Sequence, residues 1–323
     1  MLFSQKWLRY TLGALWLIDA ILQVQPQMFT SNMINSVLLP TLSAQPAPVA
    51  ASLDTIILMI TQHLVFFNLL IAVVQAEIGL FLITGLWVRE TVILSIVWAF
   101  IIWYGGEGMN MLLTGQASVL TGAPGAVLLY PLLGLLIYPR KTSSAETSGG
   151  NLLSRMHFRW VLAGFWIFAA LLQLQPFWWQ PGQIAGTMSS MTGMGKLNAI
   201  LIDPALVPLA RLTNSLEVPL NSLLIVIFLG LGIGLALIKP DRLRPWLVFS
   251  ILLSLLIWWG TQGFGMILTG LATDFNSGLL IVLMTLACWP KTNTSPQHAT
   301  HKQAPPTVKQ LESVVQLTEP VVS

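Results

Sequence analysis

Apolar runs of bilayer-crossing length recur along this chain, and nothing else constrains its fold so strongly. A crossing helix needs roughly 20 predominantly apolar residues. Stretches near that length cover 8–24, 65–86, 91–112, 120–138, 159–175, 218–238, 245–268 and 274–289. Only 8% of the residues are charged, against about 25% in a soluble domain, so a water-facing surface could not be covered. The predicted fold class is all-α, a polytopic membrane protein of about eight transmembrane helices. The fourth and eighth runs are marginal. Pro124 and Gly125 fall in the first turns of one, and Asn276, Ser277 and Gly278 in those of the other. A tilt or a non-helical lead is expected there.

The runs are ordered by an internal repeat. Residues 9–26 (RYTLGALWLIDAILQVQP) return as 159–176 (RWVLAGFWIFAALLQLQP). Residues 102–117 (IWYGGEGMNMLLTGQA) return as 257–272 (IWWGTQGFGMILTGLA). Composition explains matched Leu and Ala, but not matched Gln-x-Gln-Pro and Leu-Thr-Gly in the same order. The expected organisation is a four-helix membrane repeat over 1–140, a linker over 141–154, a second repeat over 155–291 and a disordered polar tail over 292–323. Residues 1–25 read like a signal peptide. The same segment recurs in mid-chain, so the first helix is expected to be structural and retained.

Orientation follows from basic residues, which favour the cytoplasmic side. Thirteen of the fifteen Lys and Arg fall on one side of these spans, and only Lys196 and Arg211 on the other. Both termini are therefore expected in the cytoplasm of a multi-pass protein of the cell (inner) membrane, with parallel repeats. Long outer loops follow the first helix of each repeat, over 25–64 and 176–217. Within them, 51–62 and 199–212 read as amphipathic helices that cap the bundle or lie at the interface.

Several chemistries are disfavoured. The net charge of +3 is spread over helix ends, so the lipid bilayer, not nucleic acid, is the expected partner. Cys288 is the single cysteine and cannot form an internal disulfide or redox pair. The four histidines offer no intramembrane pair for haem. No lysine lies inside a span to form a Schiff base. No phosphate loop, nucleophile elbow or zinc spacing is present. Glu107 with Met109 and Met111 invites a copper reading, but Met on membrane helices is more often packing, and no metal site is expected.

Ionisable residues within spans cost roughly 2.5–3.5 kcal/mol on insertion scales and mark candidate sites. Asp19 lies in the first span and Glu77 in the second, while Glu107 ends the third within Gly105-Gly106-Glu107-Gly108. At a rise of ~1.5 Å per residue, Asp19 sits about 18 Å and Glu77 about 15 Å from the inner face. A facing pair sharing a proton is expected, with one of the two hard to ionise. The second repeat has Ala169, Gly230 and Gln262 at the matching positions. Gln23, Gln25, Asn68, Gln173, Gln175 and Asn221 occur in both repeats and are expected to hydrogen bond between helices. The three acids thus form a candidate proton-exchange or binding cluster in the first repeat alone. The alternative is that each acid is merely protonated and packed.

Residues 76–89 (AEIGLFLITGLWVR) place a Glu-Gly apolar helix, ending in Gly-Leu-x-x-Arg, second of four. This resembles the DoxX/DoxD-like family of integral membrane proteins, here as two fused copies. The second copy departs from the pattern, with Gly230 for the acid and Lys239-Pro240-Asp241-Arg242 at the exit. The resemblance implies a quinone-linked subunit of a membrane redox complex, with quinone as the possible cofactor. On that reading Trp16, Trp103 and Tyr104 line an apolar slot, and the acids exchange protons with the ring. Alternatives are a small-solute or proton-coupled transporter, which uses repeats and midplane carboxylates, and a non-catalytic scaffold or assembly factor. Whether the chain is an enzyme, and its oligomeric state, stay open at this level.

Overall fold

The computed structural model describes residues 4–139 and 155–290. The expected linker over 141–154 and tail over 292–323 lie outside them. The described residues are helical, with no β-strand. The helices are α1 (Gln5–Gln23), α2 (Ala47–Gln62), α3 (Leu64–Thr84), α4 (Val88–Gly105), α5 (Ala126–Gly134), α6 (Arg155–Gln173), α7 (Gln183–Ser189), α8 (Lys196–Leu201), α9 (Asp203–Asn214), α10 (Glu217–Leu237), α11 (Leu243–Gly260) and α12 (Asn276–Ala287).

Four segments among them are long and apolar enough to cross a membrane: α3, α4, α10 and the stretch Pro240–Gly260 that ends in α11. The other expected spans differ for identifiable reasons. Lys6, Arg9 and Asp19 interrupt the apolar character of α1. α5 has nine residues and α12 twelve. At ~1.5 Å per residue neither approaches the roughly 30 Å of a hydrocarbon core. Each follows an irregular segment, with Gly125 (φ 125°) and Asn276 (φ 60°) at the two helix starts.

α1 lies along α3, and α6 along α10. Both pairs approach through small residues. A Cβ on Gly79 would stand 2.8 Å from the Gly13 carbonyl oxygen, and one on Gly232 would stand 2.9 Å from that of Ala163. Such contact lets helices pack where no hydrophobic force acts between them. Buried amides tie the ends. Gln23 Nε2 donates to Asn68 Oδ1 at 2.5 Å, and Asn68 Nδ2 returns a bond to the Gln23 carbonyl at 2.9 Å. Asn221 Nδ2 donates to the Gln173 carbonyl at 3.1 Å. At the opposite end Arg159 donates to the Ala236 and Ile238 carbonyls at 3.3 and 3.1 Å, capping the open carbonyls of α10.

The segment after α1 folds into a cap with its own core. Met28, Met33, Ile34 and Leu38 pack on Ile57 and Ile60 of α2. The larger core runs from Trp16 and Tyr130 to Phe158, Trp166 and Phe228, joining residues of both halves.

α4 and α11 end alike. Gly108, Met109, Asn110 and Met111 have φ of 55, 55, 46 and 59°, and Gly263, Phe264, Gly265 and Met266 have 52, 56, 69 and 59°. Each is a single left-handed turn. Residues other than glycine are disfavoured there by roughly 1–2 kcal/mol apiece, and such backbone is held only where its surroundings over-determine it. The chain then crosses between halves. Ala117 accepts bonds from Gln175 Nε2 and Trp178 Nε1 at 3.0 and 3.1 Å, and Val119 from Gln262 Nε2 at 2.9 Å. In the other direction, Gln25 Nε2 donates to the Ala272 carbonyl at 3.5 Å.

Candidate functional site

A cavity of about 230 Å³ opens among α1, α2, α3, α4 and α5. Its walls are mostly Ile, Leu, Met, Phe and Trp, but Asp19, Glu107 and Asp274 all line it. No Lys, Arg or His does among the described residues. Among the described residues no group of three His, Cys, Asp or Glu is arranged to hold a metal ion.

Asp19 projects from the buried face of α1 and is 1% exposed. Its Oδ2 accepts the Tyr130 hydroxyl at 2.5 Å. The Tyr130 ring rests against Trp16, centroids 4.5 Å apart, which fixes the donor. Oδ1 has no partner.

Glu107 stands just before the left-handed turn, which swings it back towards α5. Its Oε1 accepts from Val127 N at 3.1 Å, one of the free amides at a helix start. Oε2 has no partner. Gly125 lies beneath it, and a Cβ there would run into Glu107 Oε2 and Trp103. Burial holds the Glu107 carboxyl well above the usual range, and the negative charge of Asp274 raises it further, against the Val127 bond.

Asp274 comes from the irregular lead into α12. Its Oδ1 accepts from Asn276 N at 2.5 Å and its Oδ2 from Thr273 Oγ1 at 3.3 Å. Burial raises this carboxyl too, opposed by those two bonds.

Five polar atoms on cavity-lining residues are buried without a hydrogen-bond partner: Trp16 Nε1, Asp19 Oδ1, Gln75 Oε1, Trp98 Nε1 and Glu107 Oε2. Buried polar groups are nearly always paired, and these five belong to residues of one cavity wall. In the second half Gln173 and Asn221 also keep buried polar atoms unpartnered, but the residues matching Trp16 and Glu107 are paired. Trp166 Nε1 donates to Ser250 Oγ at 3.0 Å, which also bonds Thr285 Oγ1 at 2.9 Å. Phe228 packs on Trp166, centroids 5.5 Å apart. Gln262 bonds Val119, Ser277 and Gly278 at 2.9, 2.9 and 3.0 Å. A second cavity, about 490 Å³ between α7, α9, α10 and α11, has no ionisable residue in its walls.

Of the residues singled out by sequence, Asp19, Glu107 and Trp16 come together at the cavity. Glu77 does not. It is exposed on the outer side of α3, while Gln75, two residues earlier, is buried. The expected Asp19–Glu77 pair is therefore replaced by Asp19 with Tyr130. Trp103 and Tyr104 also stand outside the cavity. The Trp103 indole donates to the Pro124 carbonyl at 2.7 Å. The Tyr104 hydroxyl shares a bond with Ser52 Oγ, and its ring lines an external groove. Sequence reasoning missed Gln75, Trp98, Tyr130 and Asp274. Tyr130, a phenol in the middle of an apolar run, and Asp274, an acid at the mouth of the last one, were the available signals.

Comparison of the chain with protein-family models, with curated proteins and with solved structures finds no match.

Proposed function

We propose that this chain is a quinone-linked membrane subunit, made of two parallel four-helix repeats, whose first repeat binds the ring of a lipid-soluble quinone. The repeat reading is supported by the matched α1–α3 and α6–α10 crossings and by the two left-handed turns. Under it, α1 and α6, and the short helices α5 and α12 each together with its irregular lead, complete eight membrane segments, with both termini cytoplasmic. The DoxX/DoxD-like resemblance points to the same class.

The observation that carries the ligand is the set of five unpartnered polar atoms around one cavity. Two are indole N–H donors, suited to ring carbonyls. Two are carboxyl oxygens, suited to give or take a proton. An apolar cavity of roughly 150 Å³ can admit benzene, so about 230 Å³ fits a substituted ring. The rim includes Met59, Leu70 and Ile101, which are 45, 40 and 53% exposed on the lipid-facing surface. A lipid-facing groove along α2 and α4 shares Ile56, Met59, Ile101 and Gly105 with the cavity, and gives an apolar tail a bed.

A bound quinone supplies two-electron, two-proton redox chemistry. Trp16 and Trp98 orient the ring through their N–H groups. Asp19 and Glu107 hold protons at Oδ1 and Oε2. Tyr130 fixes the Asp19 carboxyl, and the apolar wall keeps bulk water out. Electrons come from a partner subunit of the redox complex.

The test is quenching of tryptophan fluorescence by a short-chain ubiquinone analogue, with the purified protein in lipid nanodiscs. Saturable binding is expected. Asp19→Ala and Glu107→Ala should each weaken it about tenfold, as loss of a bond to an ionisable group predicts, while Glu77→Gln leaves it unchanged. Absence of saturable binding, or affinity indifferent to both alanine variants, overturns the reading.

A further inference from the structure

Glu77 poses a problem that the cavity does not solve. Among the described residues of α3, α4, α10 and α11, it is the one Asp, Glu, Lys or Arg beyond the first turn. It lies about 20 Å from the outer end of α3 and about 10 Å from the inner end. It faces outward and makes no hydrogen bond or ion pair among the described residues. Ionisable side chains within a membrane almost always face a bundle interior and pair.

Its surroundings form a stripe. Phe66, Leu70, Val73, Glu77, Leu80 and Thr84 follow one another at alternating steps of four and three, and all are exposed. That is the spacing of a helix–helix seam, in which one polar residue fixes the register.

We propose that this face of α3 is the interface of a twofold dimer of the chain, in which the two Glu77 side chains meet and complete each other's hydrogen bonding. A twofold axis along the membrane normal returns every residue at its own depth and sets like against like. A carboxyl is a self-complementary group, since one donates its O–H to the oxygen of the other. The dimer also closes. The lipid-facing side of α10 offers Val226, Ile233 and Leu237 and no acid, so it presents no second copy of the contact from which a filament could grow.

Cysteine cross-linking in native membranes tests this. Val73→Cys, on the stripe and 61% exposed, should oxidise to a product of twice the chain mass. Val226→Cys, 67% exposed on α10, should not. In the Val73→Cys background, Glu77→Gln should retain the product, since amides also pair reciprocally, and Glu77→Leu should reduce it at least tenfold. Circular dichroism of the purified Glu77→Leu variant serves as the folding control. No product from Val73→Cys, a product undiminished by Glu77→Leu, or a product that mass spectrometry shows to contain a different protein overturns the dimer.

Discussion

At the scale of single residues, the candidate site is a contrast between polar groups that are satisfied and polar groups that are not. Trp166 and Gln262 have their partners, whereas Trp16 and Glu107 each keep an atom free. A pH dependence follows from Glu107. Its carboxyl is raised by burial and by Asp274, so it keeps its proton at a pH where a free glutamate has lost it. Ligand binding through that proton should persist above the pH at which a free glutamate ionises and fall once the raised value is passed. Glu107→Gln, with a permanent donor, should flatten that limb in a fluorescence titration. An unchanged profile would assign the limb to another group. Asp19 and Glu107 were legible in the sequence because acids are rare in apolar runs, and because the matching positions of the second half lack them. The facing of Glu77 was not. Apolar residues surround α3 on every side, so no periodicity tells inward from outward, and only its packing on α1 decides.

At the scale of elements, the shapes of the chain after α4 and before α5 place the acids. Gly125 is the tightest point, with φ 125° and Glu107 and Trp103 where a Cβ would go. Gly125→Ala should abolish ligand binding by displacing the carboxylate. It should also lower thermal stability by an amount equivalent to roughly 1–3 kcal/mol, the usual range for overpacking, as measured by nanodisc-embedded melting. Retention of both would show that this turn does not set the site. The long apolar helices were legible from hydropathy. The shortness of α5 and α12 was not, because a left-handed turn and an irregular lead have nearly the same composition as the helix they replace. Pro124, Gly125, Asn276 and Gly278 marked the places without giving the form.

At the scale of the whole molecule, the two halves exchange segments. Residues 117–119 serve as acceptors for the second half, and Ala272 to Asp274 reach into the first. Sequence reasoning assigned all the acids to one half because contacts across more than a hundred residues leave no local trace. A protease site inserted within 141–154 and cut after purification should therefore leave the halves associated in a single size-exclusion peak, with ligand affinity within about twofold, since Gln25, Gln175, Trp178 and Gln262 join them directly. Separation of the fragments would place the cohesion in the covalent link instead.

Asp274 belongs to one repeat by order along the chain and to the other by position. If the duplication proposed above is right, a single repeat standing alone would meet this carboxyl only in a second polypeptide. Fusion then turned a meeting between two molecules into a fixed part of one.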